Sequence, residues 1–287
     1  MIINWFPGHM TKALRTMQAE IKNIDCVVYV LDARAPFACI NPEFDKLITG
    51  KSVLVVVNKL DIADKDKLLP LIPKIKEHFG ENSDIVTLNS TLSGAGKKIF
   101  EKIELLCKPK IEKNLNKGIT MPIRAMVIGV PNCGKSTLIN NLCGKAKTIT
   151  GDKAGVTRGK QWVTVSKYVQ ILDTPGTLYP NLENEKHAKF LAYIGSIKNE
   201  VLDYGTLALE FIKDVQMQYP NALVNRYGID KPNNVEEMDN FQLSEVLEEI
   251  AKNRHLIARG GEVDYDRVAF TLLDDFRKNR LGNITLI

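Results

Sequence analysis

Three loop sequences, each directly following a short apolar run, constrain the fold of this chain more than any other feature. They are NKLD at 58–61, GVPNCGKS at 129–136 and DTPG at 173–176. Short runs rich in valine and isoleucine are typical of buried strands, and helical stretches such as 11–23 and 67–79 lie between them. This alternation predicts an α/β fold with a mostly parallel sheet. Loops that follow parallel strands meet at the carboxyl edge of the sheet, so the three sequences are expected to form one site.

The loop at 129–136 has the spacing of a phosphate-binding P-loop, and it lies between a predicted strand at 123–128 and a predicted helix at 137–142. The backbone N–H groups of such a loop hold the β-phosphate, its lysine adds a positive charge, and its serine hydroxyl is a Mg²⁺ ligand. The residues of this segment that are predicted to contact a nucleotide are Gly129, Pro131, Asn132, Cys133, Gly134, Lys135, Ser136 and Thr137.

The DTPG loop is predicted to complete the phosphate and metal site. Asp173 ends a predicted strand, so its carboxylate is placed to hold Mg²⁺ through water. The N–H of Gly176 is placed to reach the γ-phosphate, which hydrolysis removes. Thr157 lies between the P-loop and this loop and is the candidate switch threonine, which makes it a third Mg²⁺ ligand beside Ser136 and Asp173.

The NKLD loop is predicted to select guanine. The Asp61 carboxylate can accept two N–H groups from the guanine edge, which adenine does not offer, and a buried carboxylate left unpaired is costly. Lys59 is expected along the base, and Asn58 is expected to hydrogen-bond the surrounding loops. Asn89 and Ser90 follow the next predicted strand and resemble a further guanine-contacting loop, although the alanine and lysine usual there are absent. The predicted ligands are therefore GTP and GDP with Mg²⁺.

The order of the loops is rotated. In ordinary G proteins the P-loop leads and the guanine loop trails, whereas here the guanine loop comes first. The polar stretch 108–121 is the expected connection between the two groups of motifs. Strand patterns stop after about residue 179, and amphipathic helical stretches follow. The sequence therefore predicts a G domain at 1–179 and a small all-helical domain at 180–287.

The composition is typical of a globular protein and disfavours a membrane-spanning or secreted one. The 287 residues carry a net charge of +5, contain no apolar run of the about 18 residues that a transmembrane helix needs, and do not begin like a secretory signal. The five cysteines form no CxxC pair, which favours reduced thiols. We therefore expect a cytoplasmic protein with no membrane partner.

One segment, 97–124, contains the whole charge excess, with eight basic residues and three acidic ones. Such a segment could contact nucleic-acid phosphates, or it could be a solvated helix face and linker. Charge alone favours the solvated face.

Further segments resemble one family. The rotated order is similar to that of the circularly permuted GTPases. The sequences WFPGHM at 5–10, DARAP at 32–36 and NP at 41–42 resemble the bacterial ribosome biogenesis GTPase A subfamily. The similarity extends over essentially the whole chain. It implies a GTPase that is stimulated by ribosomal particles, acts in late assembly of the large ribosomal subunit and binds rRNA or precursor particles. It also implies that the helical domain at 180–287 binds RNA or the ribosome. We also expect a monomer.

Two residues receive roles only from this resemblance. Asn132 matches the asparagine that helps to coordinate K⁺ beside the phosphates in potassium-activated GTPases, and the alternative is a structural P-loop asparagine. The family lacks the glutamine that orients the attacking water in other G proteins and usually has an apolar residue instead. Here Thr177 and then Leu178 follow Gly176, which leaves open which of the two takes that place. His9 is the family's candidate for orienting or deprotonating this water, with a structural cap at 5–10 as an equal alternative.

Two other functions stay open at this point. Thr177 in place of glutamine is also compatible with a nucleotide-dependent binding module of negligible turnover, whereas the complete Mg²⁺ set favours hydrolysis. An ATPase or kinase is a more distant alternative, which the guanine-selecting Asp61 disfavours. Arg34 and Pro36 are expected to shape the turn after the first strand.

Overall fold

The structure is a computed structural model. The residues that it describes are 6–119, 121–144, 161–166, 168–180, 182, 184–258 and 260–287. Thr157, the predicted switch threonine, and Trp5 lie outside these described residues.

A six-stranded sheet forms the centre of the described chain. Its strands are β1 (Cys26–Asp32), β2 (Ser52–Asn58), β3 (Ser83–Thr87), β4 (Ile123–Ile128), β5 (Gln161–Ser166) and β6 (Val169–Asp173). Their order in space is β3-β2-β1-β4-β6-β5, and every neighbouring pair is parallel except β5 with β6. The predicted α/β fold with a mostly parallel sheet is confirmed.

The burial of the strands follows their place in the sheet. Every residue of β1 is buried, and most are apolar, as expected for a central strand covered on both faces. At the sheet edge β5 alternates, because Val163 is buried while Trp162 and Thr164 are exposed. The loops after the inner strands therefore stand on a rigid, buried base.

Helices flank the strands in the first part of the chain. Those in the described residues are α1 (Gly8–Glu20), α2 (Pro42–Ile48), α3 (Lys65–Leu68), α4 (Ile72–Phe79), α5 (Ala95–Leu106), α6 (Lys108–Asn116) and α7 (Lys135–Leu142). The prediction of one helix at 67–79 is wrong in detail, because a 3₁₀ turn at Leu69–Leu71 separates α3 from α4. Pro70 and Pro73 each lie in the first turn of a new segment, where their missing N–H is tolerated. The predicted polar connection at 108–121 contains α6, in which no residue is buried.

The packing of α5 on α7 fixes the helix that begins at the P-loop. A Cβ at Gly96 in α5 would lie 2.7 Å from the Cα of Leu142 in α7, so only glycine permits this approach. The backbones of the two helices therefore touch. The P-loop helix is thereby fixed relative to the segment that follows β3.

A helical region follows β6, as predicted. It consists of α8 (Glu185–Tyr193), α9 (Tyr204–Gln218), α10 (Ala222–Tyr227), α11 (Asn240–Asn253) and α12 (Tyr265–Arg277). The Phe211 ring of α9 packs 5.0 Å from the Tyr193 ring and 5.1 Å from the Phe276 ring, measured between centroids. None of the described helices has the length and apolar composition that crossing a bilayer requires. A domain boundary between 179 and 180 stays a prediction.

Candidate nucleotide site

The carboxyl ends of the inner strands bring the predicted loops together. Asn58 is the last residue of β2, and its Nδ2 donates a 2.9 Å hydrogen bond to the carbonyl oxygen of Cys133 in the P-loop. Its Oδ1 accepts a 2.9 Å hydrogen bond from the backbone N–H of Ser90, after β3. One side-chain amide therefore ties the guanine loop to the P-loop and to the loop after β3.

Gly134 makes this contact possible. Its φ is +100°, in the region that favours glycine, and a Cβ there would lie only 2.2 Å from Nδ2 of Asn58. A larger residue would push the Asn58 amide away from the Cys133 carbonyl. The glycine of the P-loop signature is thus required here by a neighbouring loop as well as by its own turn.

Lys59 spans the gap between the guanine loop and the P-loop. Its backbone has a φ of +64°, which is uncommon for a residue with a side chain. Its Nζ donates a 2.6 Å hydrogen bond to the carbonyl oxygen of Asn132 and forms a 2.8 Å ion pair with Asp32 Oδ2. Asp61, two residues later, is exposed, so its carboxylate is accessible to a ligand.

The loop after β3 is held by a residue that the sequence analysis missed. Asn141 lies in α7, and its Nδ2 donates to the carbonyl oxygens of Ser90, at 3.1 Å, and Leu92, at 2.7 Å. Its Oδ1 accepts the N–H of Gly96 at 2.9 Å. The neighbouring Asn89 uses its side chain within its own turn, where Oδ1 accepts the Thr91 N–H at 2.8 Å. No motif marks Asn141, so only the tertiary structure reveals its role.

Lys135 and Gly176 form the contact between the P-loop and the DTPG loop. The Lys135 side chain is buried, and its Nζ donates to the carbonyl oxygens of Gly129, at 3.0 Å, and Val130, at 2.8 Å. A Cβ at Gly176 would lie 2.7 Å from the Cα of Pro131 and 2.8 Å from Nζ of Lys135. Glycine at 176 therefore lets the two phosphate loops touch.

The other predicted P-loop residues shape the loop. Gly129 has a φ of +154°, and a Cβ there would lie 2.5 Å from the carbonyl oxygen of Val30 in β1. Cys133 is fully buried, and this burial raises the pKa of its thiol, which keeps the thiol neutral. Thr137, in the first turn of α7, is half-buried.

Asp173 carries a buried carboxylate without a hydrogen-bond partner among the described residues. It ends β6, its exposed fraction is 0%, and neither carboxylate oxygen has a hydrogen-bond partner among the described residues. Burial raises its pKa to about 6, and the Lys135 ammonium only partly opposes this rise. A divalent cation would supply what the protein does not, because carboxylate and hydroxyl oxygens are the ligands that Mg²⁺ prefers. The chemistry of Asp173 and Ser136 thus fits a Mg²⁺ site.

The first helix places the His9 segment beside the DTPG loop. Met10 is fully buried, and its Sδ accepts the backbone N–H of Leu178 at 3.5 Å, two residues after Gly176. His9 itself is exposed, at the second position of α1. Thr177 and Leu178 are both fully buried, so burial does not distinguish which of them takes the place of the family's apolar residue. Both the water-positioning role and the structural cap stay predictions for this segment.

The P-loop also contacts the helical region. Asn132 has a φ of +60°, and its Nδ2 donates a 2.7 Å hydrogen bond to the carbonyl oxygen of Gly195, after α8. The Ser196 hydroxyl donates a 2.8 Å hydrogen bond to the carbonyl oxygen of Pro131. Ser196 is buried, so the helical region reaches the phosphate loop directly.

Half of the basic side chains in the segment 97–124 form ion pairs with acidic side chains. Its ion pairs are Lys97–Glu101, Lys102–Asp84, Lys108–Glu112 and Lys110–Asp25. The Arg124 guanidinium lies 5.6 Å from the centroid of the Trp162 ring. Half of its basic residues are thus neutralised by neighbours, which adds to the argument for a solvated face.

Comparison with known proteins identifies the class of this chain. A sequence model of the family described as "50S ribosome-binding GTPase" matches residues 124–257, a stretch that includes the P-loop and the DTPG loop but not the guanine loop at 58–61. Ribosome biogenesis GTPase A of Bacillus cereus is 38% identical and covers 99% of this chain and 93% of its own length. Mitochondrial ribosome-associated GTPase 1 of Mus musculus is 30% identical, over 99% of this chain and 90% of that protein.

The solved structures give the same result. A GNP-bound YlqF from T. maritima superimposes with a TM-score of 0.65 at 26% identity, over 96% of this chain and 97% of that one. Because the identity extends along nearly the full length of the relatives, it covers both the motifs and the helical region. The chain is a GTPase that binds GTP and GDP, and it belongs to the ribosome biogenesis GTPase A family of circularly permuted GTPases.

Proposed function

We propose that this chain is a cytoplasmic, monomeric, GTP-gated factor in late assembly of the large ribosomal subunit. In the GTP state it binds a precursor particle and its rRNA, and it leaves after hydrolysis. The names of its relatives and of the matching family support a ribosomal partner. The helical region, as the part outside the G domain, is the proposed ribosome-facing surface.

One observation supports the gating most strongly, namely the pair of hydrogen bonds between the P-loop and the segment after α8. Asn132 bonds Gly195 and Ser196 bonds Pro131, and both Asn132 and Pro131 belong to the loop that we propose holds the phosphates. Because the loop at 173–176 leads into α8 in the chain, both phosphate loops are connected to the helical region. Loss of the γ-phosphate can therefore shift the helical region, which is the proposed ribosome-facing surface, through these contacts.

The proposal assigns roles to the site residues. Ser136, Asp173 and Thr157 would hold Mg²⁺, which neutralises charge that develops on the phosphates. Asn132 is the proposed K⁺ ligand, and His9 is the proposed water-positioning residue. The guanine edge is assigned to Asp61.

Replacing Ser136 by alanine is expected to remove the nucleotide dependence of particle binding. The variant loses a hydroxyl ligand for Mg²⁺, so GTP and GDP no longer produce different switch states. We expect the wild-type protein to co-sediment with precursor large subunits about tenfold better with a non-hydrolysable GTP analogue than with GDP, a free-energy difference of about 1.4 kcal/mol. The variant should show equal co-sedimentation with both nucleotides.

Thr49→Ala is the matched control, because Thr49 is exposed and, among the described residues, its hydroxyl donates to the carbonyl of Asp45 in α2. This variant should still co-sediment with precursor large subunits better with the GTP analogue than with GDP. A Ser136→Ala protein that still distinguishes GDP from the analogue would contradict the gating.

Replacing His9 by alanine is expected to lower particle-stimulated GTP hydrolysis by about a hundredfold, the lower end of the contribution of a positioned general base. His9→Gln should recover part of the rate, since an amide can orient water although it cannot take its proton. Steady-state phosphate release with and without large subunits measures this. Full activity of His9→Ala would assign the segment a structural role only.

A second candidate function rests on Thr177, which stands where other G proteins have the glutamine that orients water. A nucleotide-dependent binding module would show negligible turnover. Multiple-turnover assays in K⁺ and in Na⁺, each with and without ribosomal subunits, distinguish the two functions. Turnover that particles stimulate would exclude the binding module.

A further inference from the structure

A cluster of charges lies beside the guanine loop, and two of its members, Asp32 and Arg34, are buried and lie outside the loops predicted to contact nucleotide. Asp32, the last residue of β1, has an exposed fraction of 0%, and Arg34 has one of 2%. Nε of Arg34 donates to Asp32 Oδ1 at 3.0 Å and Nη2 donates to Oδ2 at 2.7 Å, which is a two-point contact. The same carboxylate forms the 2.8 Å ion pair with Lys59 of the guanine loop. The two cations hold the pKa of Asp32 well below its usual range, although burial acts in the opposite direction.

One carboxylate faces two cations here, so the cluster carries an excess positive charge. The helical region supplies the opposing negative potential. Nη2 of Arg34 lies 3.5 Å from the carbonyl oxygen of Ile194 at the end of α8, and Nη1 lies 3.5 Å from that of Arg277 at the end of α12. The carboxyl end of a helix carries about half a negative charge, which favours a cation there. The guanidinium also lies 5.2 Å from the centroid of the Phe276 ring.

The surroundings fix this arrangement. The Arg277 side chain donates to the carbonyl oxygens of Tyr193, at 2.9 Å, and Ala192, at 2.8 Å, and so holds the end of α8 in place. The backbone carbonyl of Arg34 accepts the N–H of Leu286 at 2.7 Å. Arg34 is therefore anchored on the helical region through both its side chain and its backbone.

Lys59 depends on this cluster for its position. A lysine side chain is flexible and loses rotamer freedom when it is held in one geometry. Here its ammonium is fixed from two sides, by the Asn132 carbonyl and by the Asp32 carboxylate. Without Asp32 in place, the P-loop carbonyl is the one contact that remains for this ammonium among the described residues.

We propose that Asp32 and Arg34 are positioning residues for guanine-nucleotide binding, and that they connect the guanine loop to the helical region. Arg34, anchored on the ends of α8 and α12, orients the Asp32 carboxylate, which holds Lys59 against the P-loop. Neither residue needs to touch the nucleotide. The proposal depends on the GTPase activity of the chain and not on its ribosomal partner.

The test is a double-mutant cycle on the affinity for a fluorescent GDP analogue, with Arg34→Gln, Lys59→Met and the double variant. We expect each single substitution to weaken binding by about tenfold, since a pre-organised side chain loses its fixed position or is removed. Because Arg34 acts through Lys59, the double variant should bind no more weakly than Lys59→Met. The proposal would be overturned if the losses of affinity in the two single variants multiplied in the double variant. It would also be overturned if Arg34→Gln bound the analogue as tightly as the wild-type protein.

Two further variants distinguish a loss of nucleotide affinity through positioning from a general loss of folding stability. Arg226→Gln breaks a comparable ion pair inside the helical region, where Nε lies 2.7 Å from the buried Asp275 carboxylate. It should lower the unfolding midpoint without changing the affinity for the GDP analogue, and a similar loss of affinity in this control would contradict our inference. If Arg34→Gln does not fold, Arg34→Lys takes its place in the cycle, because lysine keeps the charge and loses the two-point contact.

Discussion

Replacing Asp173 by asparagine is expected to lower Mg²⁺-dependent GTP hydrolysis strongly while making the nucleotide-free protein more stable. The carboxylate is fully buried, and neither oxygen finds a hydrogen-bond donor in the described part of the chain. An ionised group in this position is costly, and an amide of the same shape carries no charge. Hydrolysis should fall by about a thousandfold, since a metal contributes several kcal/mol to stabilising the transition state.

The stability gain should depend on pH in a defined direction. The pKa of Asp173 in the folded chain is about 6, against an ordinary value of 3.8, so the unfolded chain releases this proton first as the pH rises. The wild-type protein therefore loses stability between about pH 4 and about pH 6, by roughly 3 kcal/mol in total from this group. Asp173→Asn has no such group, so its advantage should be absent below pH 4 and complete above about pH 6.

Urea unfolding of both proteins without nucleotide and Mg²⁺, followed from pH 4 to pH 7, measures this difference. Asp32→Asn is the opposite control, because Asp32 is equally buried but is paired with Arg34 and Lys59. Removing its charge leaves two cations without their partner and should destabilise the protein at neutral pH by about 3–5 kcal/mol. A constant difference between wild type and Asp173→Asn across this pH range would show that the carboxylate is not held as the structure indicates.

Much of the fold is predictable from the sequence because it depends on local patterns. Apolar runs specify the strands, and a glycine-rich loop between a strand and a helix specifies the P-loop at 129–136. The convergence of the three loops follows from parallel strands alone, since their carboxyl ends share one edge. The interruption between α3 and α4 also had a local signal, in Pro70 and Pro73.

The contacts that complete the site have no such local signal. Asn141 holds the loop after β3 from a helix that carries the P-loop, and Arg34 reaches the ends of two helices more than a hundred residues away. A single asparagine or arginine has no periodicity or spacing to read, so its partners become visible only when the chain is folded. The expectation that Arg34 shapes its turn was therefore incomplete, because its side chain is a link to the helical region.

Replacing Gly134 by alanine is expected to weaken GDP binding by about a hundredfold, which corresponds to about 2.7 kcal/mol. A Cβ there would lie 2.2 Å from Nδ2 of Asn58, so the Asn58 amide must leave the Cys133 carbonyl. Its bond to the Ser90 N–H would be lost in the same movement. Titration with a fluorescent GDP analogue measures the loss.

Two control variants distinguish the steric clash with Asn58 from the backbone strain of a side chain at positive φ. Gly228→Ala places a side chain at a φ of +65° with nothing within 4 Å, so it should cost about 1 kcal/mol of stability and leave GDP affinity unchanged. In an Asn58→Ala background the Cβ at 134 meets no amide, so Gly134→Ala should there weaken binding by no more than about fivefold, the effect of the strained backbone alone. If the hundredfold loss persists in that background, the glycine is required by the phosphate loop itself and not by the guanine loop that packs on it.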